Sequence, residues 1–135
     1  MSVNTSADRA GPIDCRTARL FTQNCGTDAV SVSATGEIDA ANVVAFEQCI
    51  RRAERPNKRL VIDLGELKFL GVQAGSMLVA LYDDLELRHT ECGVVTSAAV
   101  RRTLRLCDPA GVIRTAGSVE AALRVLRRET TPVAS

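Results

Sequence analysis

Val30, Val32 and Ala34 alternate with Ser31, Ser33 and Thr35. Successive side chains of a strand point to opposite faces, so this pattern predicts a strand that buries one face only. An earlier strand is predicted near Ala18 to Asn24, with Gly26, Thr27 and Asp28 as the turn of a hairpin. Gly36-Glu37-Ile38-Asp39 then reads as a strand break, with Asp39 placed to cap the next helix. Val43, Phe46, Ile50 and Ala53 follow at helical spacing, up to Pro56 and Asn57. Leu60-Val61-Ile62 has no alternation and predicts a central strand covered on both faces. After a connection at 65–72, Ala74, Leu78, Leu81 and Leu85 form one face of a second helix, with Asp83, Asp84 and Glu86 toward water.

Cys92 to Thr96 predicts another strand. Ser97 caps a helix carrying Val100, Leu104 and Cys107, which Asp108-Pro109-Ala110-Gly111 stops. Val112-Ile113 is a candidate last strand. Ser118 caps a final helix with Val119, Ala122, Leu123 and Leu126 at i, i+3, i+4 and i+7. A hairpin followed by alternating strand and helix units predicts an α/β fold: a mixed sheet of four to five strands with about four packed helices. Residues 1–15 read as a loose lead-in, 16–128 as one domain and 129–135 as a tail.

Composition narrows the chemistry. The chain has 135 residues, enough for one domain, and only 3% are aromatic. The core is therefore aliphatic, and there is no ring platform for single-stranded nucleic acid. Seventeen basic residues against sixteen acidic give a net charge of +1, so no electrostatic footprint for nucleic acid or anionic lipid exists. No apolar run approaches the ~18 residues of a membrane span. The N-terminus has no hydrophobic stretch of a signal peptide, so the expected compartment is the cytoplasm.

Five cysteines and one histidine, His89, form no short-spaced ligand pair, so no metal or other cofactor is expected. Free thiols in a reducing compartment read first as small hydrophobes: Cys49 and Cys107 in the core, Cys15 and Cys25 more exposed. His89 and the pairs Arg51/Arg52, Arg101/Arg102 and Arg127/Arg128 read as solvated. No phosphate-binding glycine loop or nucleophile elbow is present; Ser76, in Ala74-Gly75-Ser76, lacks the flanking glycines. Nothing assembles a nucleophile, a base and an oxyanion site, so no enzyme is expected.

Four segments, in order, carry a resemblance. Gly36-Glu37-Ile38-Asp39 resembles the "GELD" turn of the STAS domain, the fold of bacterial anti-sigma factor antagonists. Arg59 to Leu64 (RLVIDL) resembles its central "LVLDL" strand. Lys68 to Ser76 (KFLGVQAGS) occupies the place of its "xFIDSSGLG" loop and helix start. Val94 to Leu104 (VVTSAAVRRTL) resembles its "LVxPSPxVRRVL" unit. The resemblance covers about three quarters of the chain, from about Val30 to Leu126, and Leu104 to Gly111 (LRLCDPAG) is similar to actinobacterial, mycobacterial-like members.

The resemblance implies a function by binding. The implied partner is an anti-sigma factor with an ATP-binding kinase fold of the GHKL type, whose capture frees a sigma factor for transcription. The implied contact residues are Leu70, Gly71, Val72, Gln73, Ala74, Gly75 and Ser76, with Glu37 and Asp39 beside them. In the family the first serine after the aspartate accepts phosphate. Those two positions here are Val72 and Gly71, and valine has no hydroxyl. Either the protein is a constitutively competent antagonist or control lies elsewhere.

Ser76, four residues on, is the nearest alternative phosphosite, or a small residue that lets the helix approach its neighbour. Gly71 and Gly75 are either contact residues or permit a tight turn and close approach. Cys92 and Cys107 are the candidates for a thiol-redox-sensing variant of the fold. A nucleotide-binding regulatory STAS domain is a further alternative, and the appended domain of an anion transporter is disfavoured.

Overall fold

The computed structural model describes residues 13–130. Its elements are β1 (Ile13–Cys15), β2 (Ala18–Asn24), β3 (Ala29–Ile38), α1 (Val43–Ala53), β4 (Arg59–Leu64), β5 (Leu67–Leu70), α2 (Val72–Leu87), β6 (Cys92–Thr96), α3 (Ala98–Cys107), β7 (Thr115–Ala116) and α4 (Val119–Thr130). The sheet is mixed and seven-stranded, in the order β1-β2-β3-β4-β6-β7, with β5 attached to β3 beyond the end of β4. The β1–β2 and β2–β3 pairs are antiparallel, and every later pair is parallel. The single α/β domain with four helices is as the pattern predicts.

Two strands exceed the expected four to five. β1 falls within the stretch read as a lead-in, and α4 runs to Thr130, past the domain edge expected at 128. β5 lies inside the stretch read as a connection. β4 turns at Gly65-Glu66 and the chain resumes alongside the second half of β3. Gly36 pairs with Leu67 but Glu37 pairs with Phe69, so Lys68 is bulged out. The bulge resets the alternation and turns both Leu67 and Leu70 inward.

Other boundaries also move. β3 does not break at Gly36 but continues to Ile38, because β5 supplies it with a partner. Asn42, not Asp39, occupies the N-cap position of α1. Val112-Ile113 is not a strand. The Asp108 carboxylate accepts both of their backbone N–H groups, each at 2.9 Å, and the last strand forms at Thr115–Ala116 instead. The caps at Ser97 and Ser118 are present, with their hydroxyls accepting from Val100 and Ala121 N–H.

The larger core lies between one face of the sheet and α1, α2 and α3. Phe46, Ile50, Leu78, Leu81, Leu85, Val100 and Leu104 pack there on Leu20, Val32, Ile38 and Ile62. Each fully buried leucine contributes roughly 1.5–3 kcal/mol. On the other face α4 packs Ala122 and Leu126 on Val61 and Val95. Ser31, expected to face water, is buried on this second face beside Val61. Arg51 bridges Glu47 on α1 and Asp84 on α2, and Arg88 bridges Asp84 and Glu54. The hydrogen bond from Arg51 is the main reason the Asp84 carboxyl titrates below the usual range. These exposed pairs hold α1 and α2 in register, each at modest energy.

Gly36 has φ +90, and a β-carbon there would collide with the Thr17 carbonyl oxygen. Gly36→Ala is therefore expected to cost about 2 kcal/mol or more in urea unfolding. An unchanged midpoint would contradict the β2–β3–β5 arrangement described.

Candidate functional site

The pairing of Ile38 with Leu70 brings the turn after β3 against the start of α2. Gly71 N–H donates to the Ile38 carbonyl at 2.8 Å, locking the two segments. The turn is braced by Asn42, only 3% exposed. Its amide nitrogen donates to the Glu37 carbonyl at 3.0 Å, and its amide oxygen accepts from Asp39 N–H at 2.9 Å. Asp39 in turn accepts from Ala41 N–H at 2.9 Å. So Asp39 shapes the turn and Asn42 ties it to the strand; the sequence reading missed the second role. The asparagine three residues after an aspartate was its available signal.

β5 is held on its far side by α3. The Ser97 hydroxyl donates to the Leu67 carbonyl at 2.8 Å and the Thr103 hydroxyl to the Leu70 carbonyl at 2.6 Å. Gly71 stands at the N-cap of α2 and has no side chain with which to cap it. Gly75 faces α3: a β-carbon there would lie 2.8 Å from Cys107 Sγ and 2.9 Å from Thr103 Cγ2. Close helix approach is thus the role of Gly75, and it is buried.

The nine expected contact residues divide into two layers. Val72 is 57% exposed, and Gln73, Ser76 and Glu37 also reach the surface, with Asp39 and Gly71 half-buried beside them. Leu70 is 1% exposed and Ala74 is fully buried, so these two belong to the core and present nothing to a partner. The apolar side chain that β5 does present is Phe69, 48% exposed and paired in register with Glu37. Val44, 63% exposed, projects from the first turn of α1. The sequence reading missed both, since the bulge at Lys68 hides which residues of Leu67–Leu70 face outward.

The cysteines sort differently from expectation. Cys49 is buried, as expected, and Cys25 is half-buried. Cys107 is not a core residue: it is half-buried at the seam of α2 and α3, its thiol 3.5 Å from the Val72 carbonyl and 3.9 Å from the Ser76 hydroxyl. Cys92 is fully buried at the start of β6, five residues beyond the end of α2. The two thiols therefore sit at opposite ends of a 16-residue helix, roughly 24 Å long, far outside the ~7 Å Cα spacing of a disulfide. Burial pushes the Cys92 thiol up to about 12. The expectations for the side chains of Cys15 and of Arg127/Arg128 lie outside the described residues, and His89 is exposed as expected.

Among the described residues no group of three or more His, Cys, Asp or Glu side chains is placed to hold a metal ion. No described helix is long and apolar enough to cross a membrane. The distinctive surface is instead an uncapped helix start that presents Val72 and Gln73 between an acidic turn and the exposed Phe69. A small mixed α/β module is the class these features define. The chain belongs to the STAS domain family, whose model matches residues 20–122.

Solved structures agree. An anti-sigma factor antagonist from Mycobacterium paratuberculosis is 29% identical, with a TM-score of 0.72 over 82% of this chain and 94% of that one. A serine-to-glutamate variant of RsbS from Moorella thermoacetica is 18% identical (TM-score 0.65, covering 82% and 96%). The anti-sigma factor antagonist SpoIIAA in its unphosphorylated form is 15% identical (TM-score 0.64, covering 81% and 96%). At these last two identities the likeness is one of fold. No curated protein matches the sequence.

Two outcomes test the site's construction. Asn42→Ala leaves Asp39 N–H without its partner and takes from the Glu37 carbonyl one of its two donors, the Thr17 hydroxyl remaining at 3.1 Å, and is expected to cost about 1–3 kcal/mol in urea unfolding, with faster exchange of the Asp39 amide. Unchanged exchange would show that the turn holds itself. Cys92 stays protonated in the native state, so it should resist alkylation at neutral pH while Cys107 reacts. Because its folded pKa lies above the unfolded one, the stability it contributes is complete below about pH 9 and falls as pH rises toward 12. Cys92→Ala should flatten that alkaline slope; an identical slope would contradict the assignment.

Proposed function

We propose that this protein is an anti-sigma factor antagonist that binds an anti-sigma factor of the GHKL-kinase type, releases a sigma factor for transcription, and does so without a phosphoserine switch. The observation that carries this reading is the exposed Val72 at the start of α2, in the position where the family holds its phosphoacceptor. Likeness to the mycobacterial antagonist over nearly its whole length supports the general role. Val72 and Phe69 supply apolar contact, Gln73 and Ser76 polar contact, and Glu37 and Asp39 an acidic flank. Leu70, Ala74 and Gly75 act from beneath, by fixing the angle of α2.

The missing hydroxyl has a physical consequence. A phosphate would bring nearly two negative charges into a tight interface and repel or desolvate it. Val72 cannot receive one, so binding is constitutive. Ser76 lies one turn further on. Its hydroxyl faces the Cys107 seam, and it serves here as a small contact residue, not as a switch.

The protein, purified and folded, should bind at least one anti-sigma factor of its own host in calorimetric titration. Val72→Glu should weaken that complex at least roughly tenfold, because a carboxylate would be desolvated at its centre. Binding to none of the host's anti-sigma factors would refute the function. Binding by the glutamate variant as tight as wild type would place the interface elsewhere.

A further inference from the structure

α3 carries three arginines and no acidic residue: Ala98 to Cys107 reads AAVRRTLRLC. Five other arginines, Arg19, Arg51, Arg59, Arg88 and Arg114, each pair with a carboxylate. Arg101, Arg102 and Arg105 are all exposed and pair with no carboxylate among the described residues. Arg101 and Arg105 stand one turn apart on one side of α3, where like charges repel. The helix carries that repulsion with no acidic neighbour of its own to offset it.

Arg101 and Arg105 line a cleft of about 380 Å³ between α3 and the chain from Asp108 to Thr115. Arg101 is held in place there, one nitrogen donating to the Thr96 carbonyl at 3.2 Å, which leaves the rest of its fork for another acceptor. The floor and far wall are apolar at Leu104, Pro109 and Ile113. Asp108 is the one carboxylate of the lining. Its two oxygens accept the Val112 and Ile113 N–H groups, each at 2.9 Å, so it serves the loop and pairs with neither arginine. Two guanidinium groups against one carboxylate leave the cleft net positive, and Arg102 adds to it from the same helix.

We propose that this cleft binds an extended acidic segment of a partner protein, with acidic residues at i and i+2 and an apolar residue between them. Residues four apart on a helix are separated by roughly 6 Å along its axis. Alternate residues of an extended chain are separated by about 6.6 Å and point the same way. Two such carboxylates therefore each meet one guanidinium of α3, and the intervening side chain turns toward Pro109 and Ile113. A small inorganic anion would leave that apolar wall idle. Duplex nucleic acid and anionic membranes call for wider basic surfaces than three arginines on a chain of net charge +1. The proposal does not rest on the antagonist reading.

The test titrates a capped peptide, Glu-Leu-Glu between serine and glycine flanks, into the labelled full chain at low salt, followed by amide NMR. Saturable shifts are expected over residues 101–105 and 109–115. Arg101→Gln/Arg105→Gln should weaken binding at least roughly tenfold, while Arg124→Gln, on α4, should leave it unchanged. If the double variant does not fold, Arg105→Gln alone should still weaken it. The same peptide with glutamines in place of its glutamates should bind at least roughly tenfold more weakly. Absent or non-saturable shifts, affinity retained in the arginine variants or by the glutamine peptide, or tighter binding of duplex DNA or phosphatidylserine vesicles than of the acidic peptide would overturn the proposal.

Discussion

The parallel pairing of the second half of β3 with β5 is the constraint on which the site depends. β3 is ten residues long, and β4 covers only its first half, at Ala29 to Ser33. The remaining N–H and C=O groups of a strand need partners, and β5 supplies them at Gly36 to Ile38. That pairing carries the chain to Gly71 beside Ile38 and so sets where α2 begins. Asn42 fixes the turn on one side and the Ser97 and Thr103 hydroxyls fix β5 on the other. Everything proposed for Val72 follows from this short, heavily braced strand pair.

Much of the scaffold was legible in the sequence because simple periodicity governs it. Leu60 to Ile62, the Phe46–Ile50 face and the Leu78–Leu85 face are buried as their spacing predicts. What escaped were the places where side-chain hydrogen bonds or a bulge override periodicity. Lys68 interrupts the alternation of Leu67–Leu70, so an edge segment looked like a connection, and Leu70 was read as outward-facing although Phe69 is the exposed residue. Asp108 claims the N–H groups of Val112 and Ile113, so an apolar pair that reads as a strand is a cap. Asn42 has no periodic signature at all.

The four family-like segments place the expected contact residues at the start of α2, but composition cannot tell an exposed small residue from a buried one. Ala74 and Gly75 serve helix packing, and Gly75 leaves room for Cys107, which leaves the core for the α2–α3 seam. The same geometry separates Cys107 from Cys92 by the length of α2. The two ends of that helix therefore carry different chemistry: an apolar and weakly acidic surface at Val72, and a concavity of mixed charge, with arginines and glutamates together, where α2 ends.

The central claim is that binding at the α2 start has no phosphate switch. Its most direct test is to hold the protein with its anti-sigma factor and ATP and follow both by native mass spectrometry. The account predicts an unchanged mass for this chain and a complex that persists for the whole incubation. A chain that gains one phosphate, with loss of the complex, would contradict it.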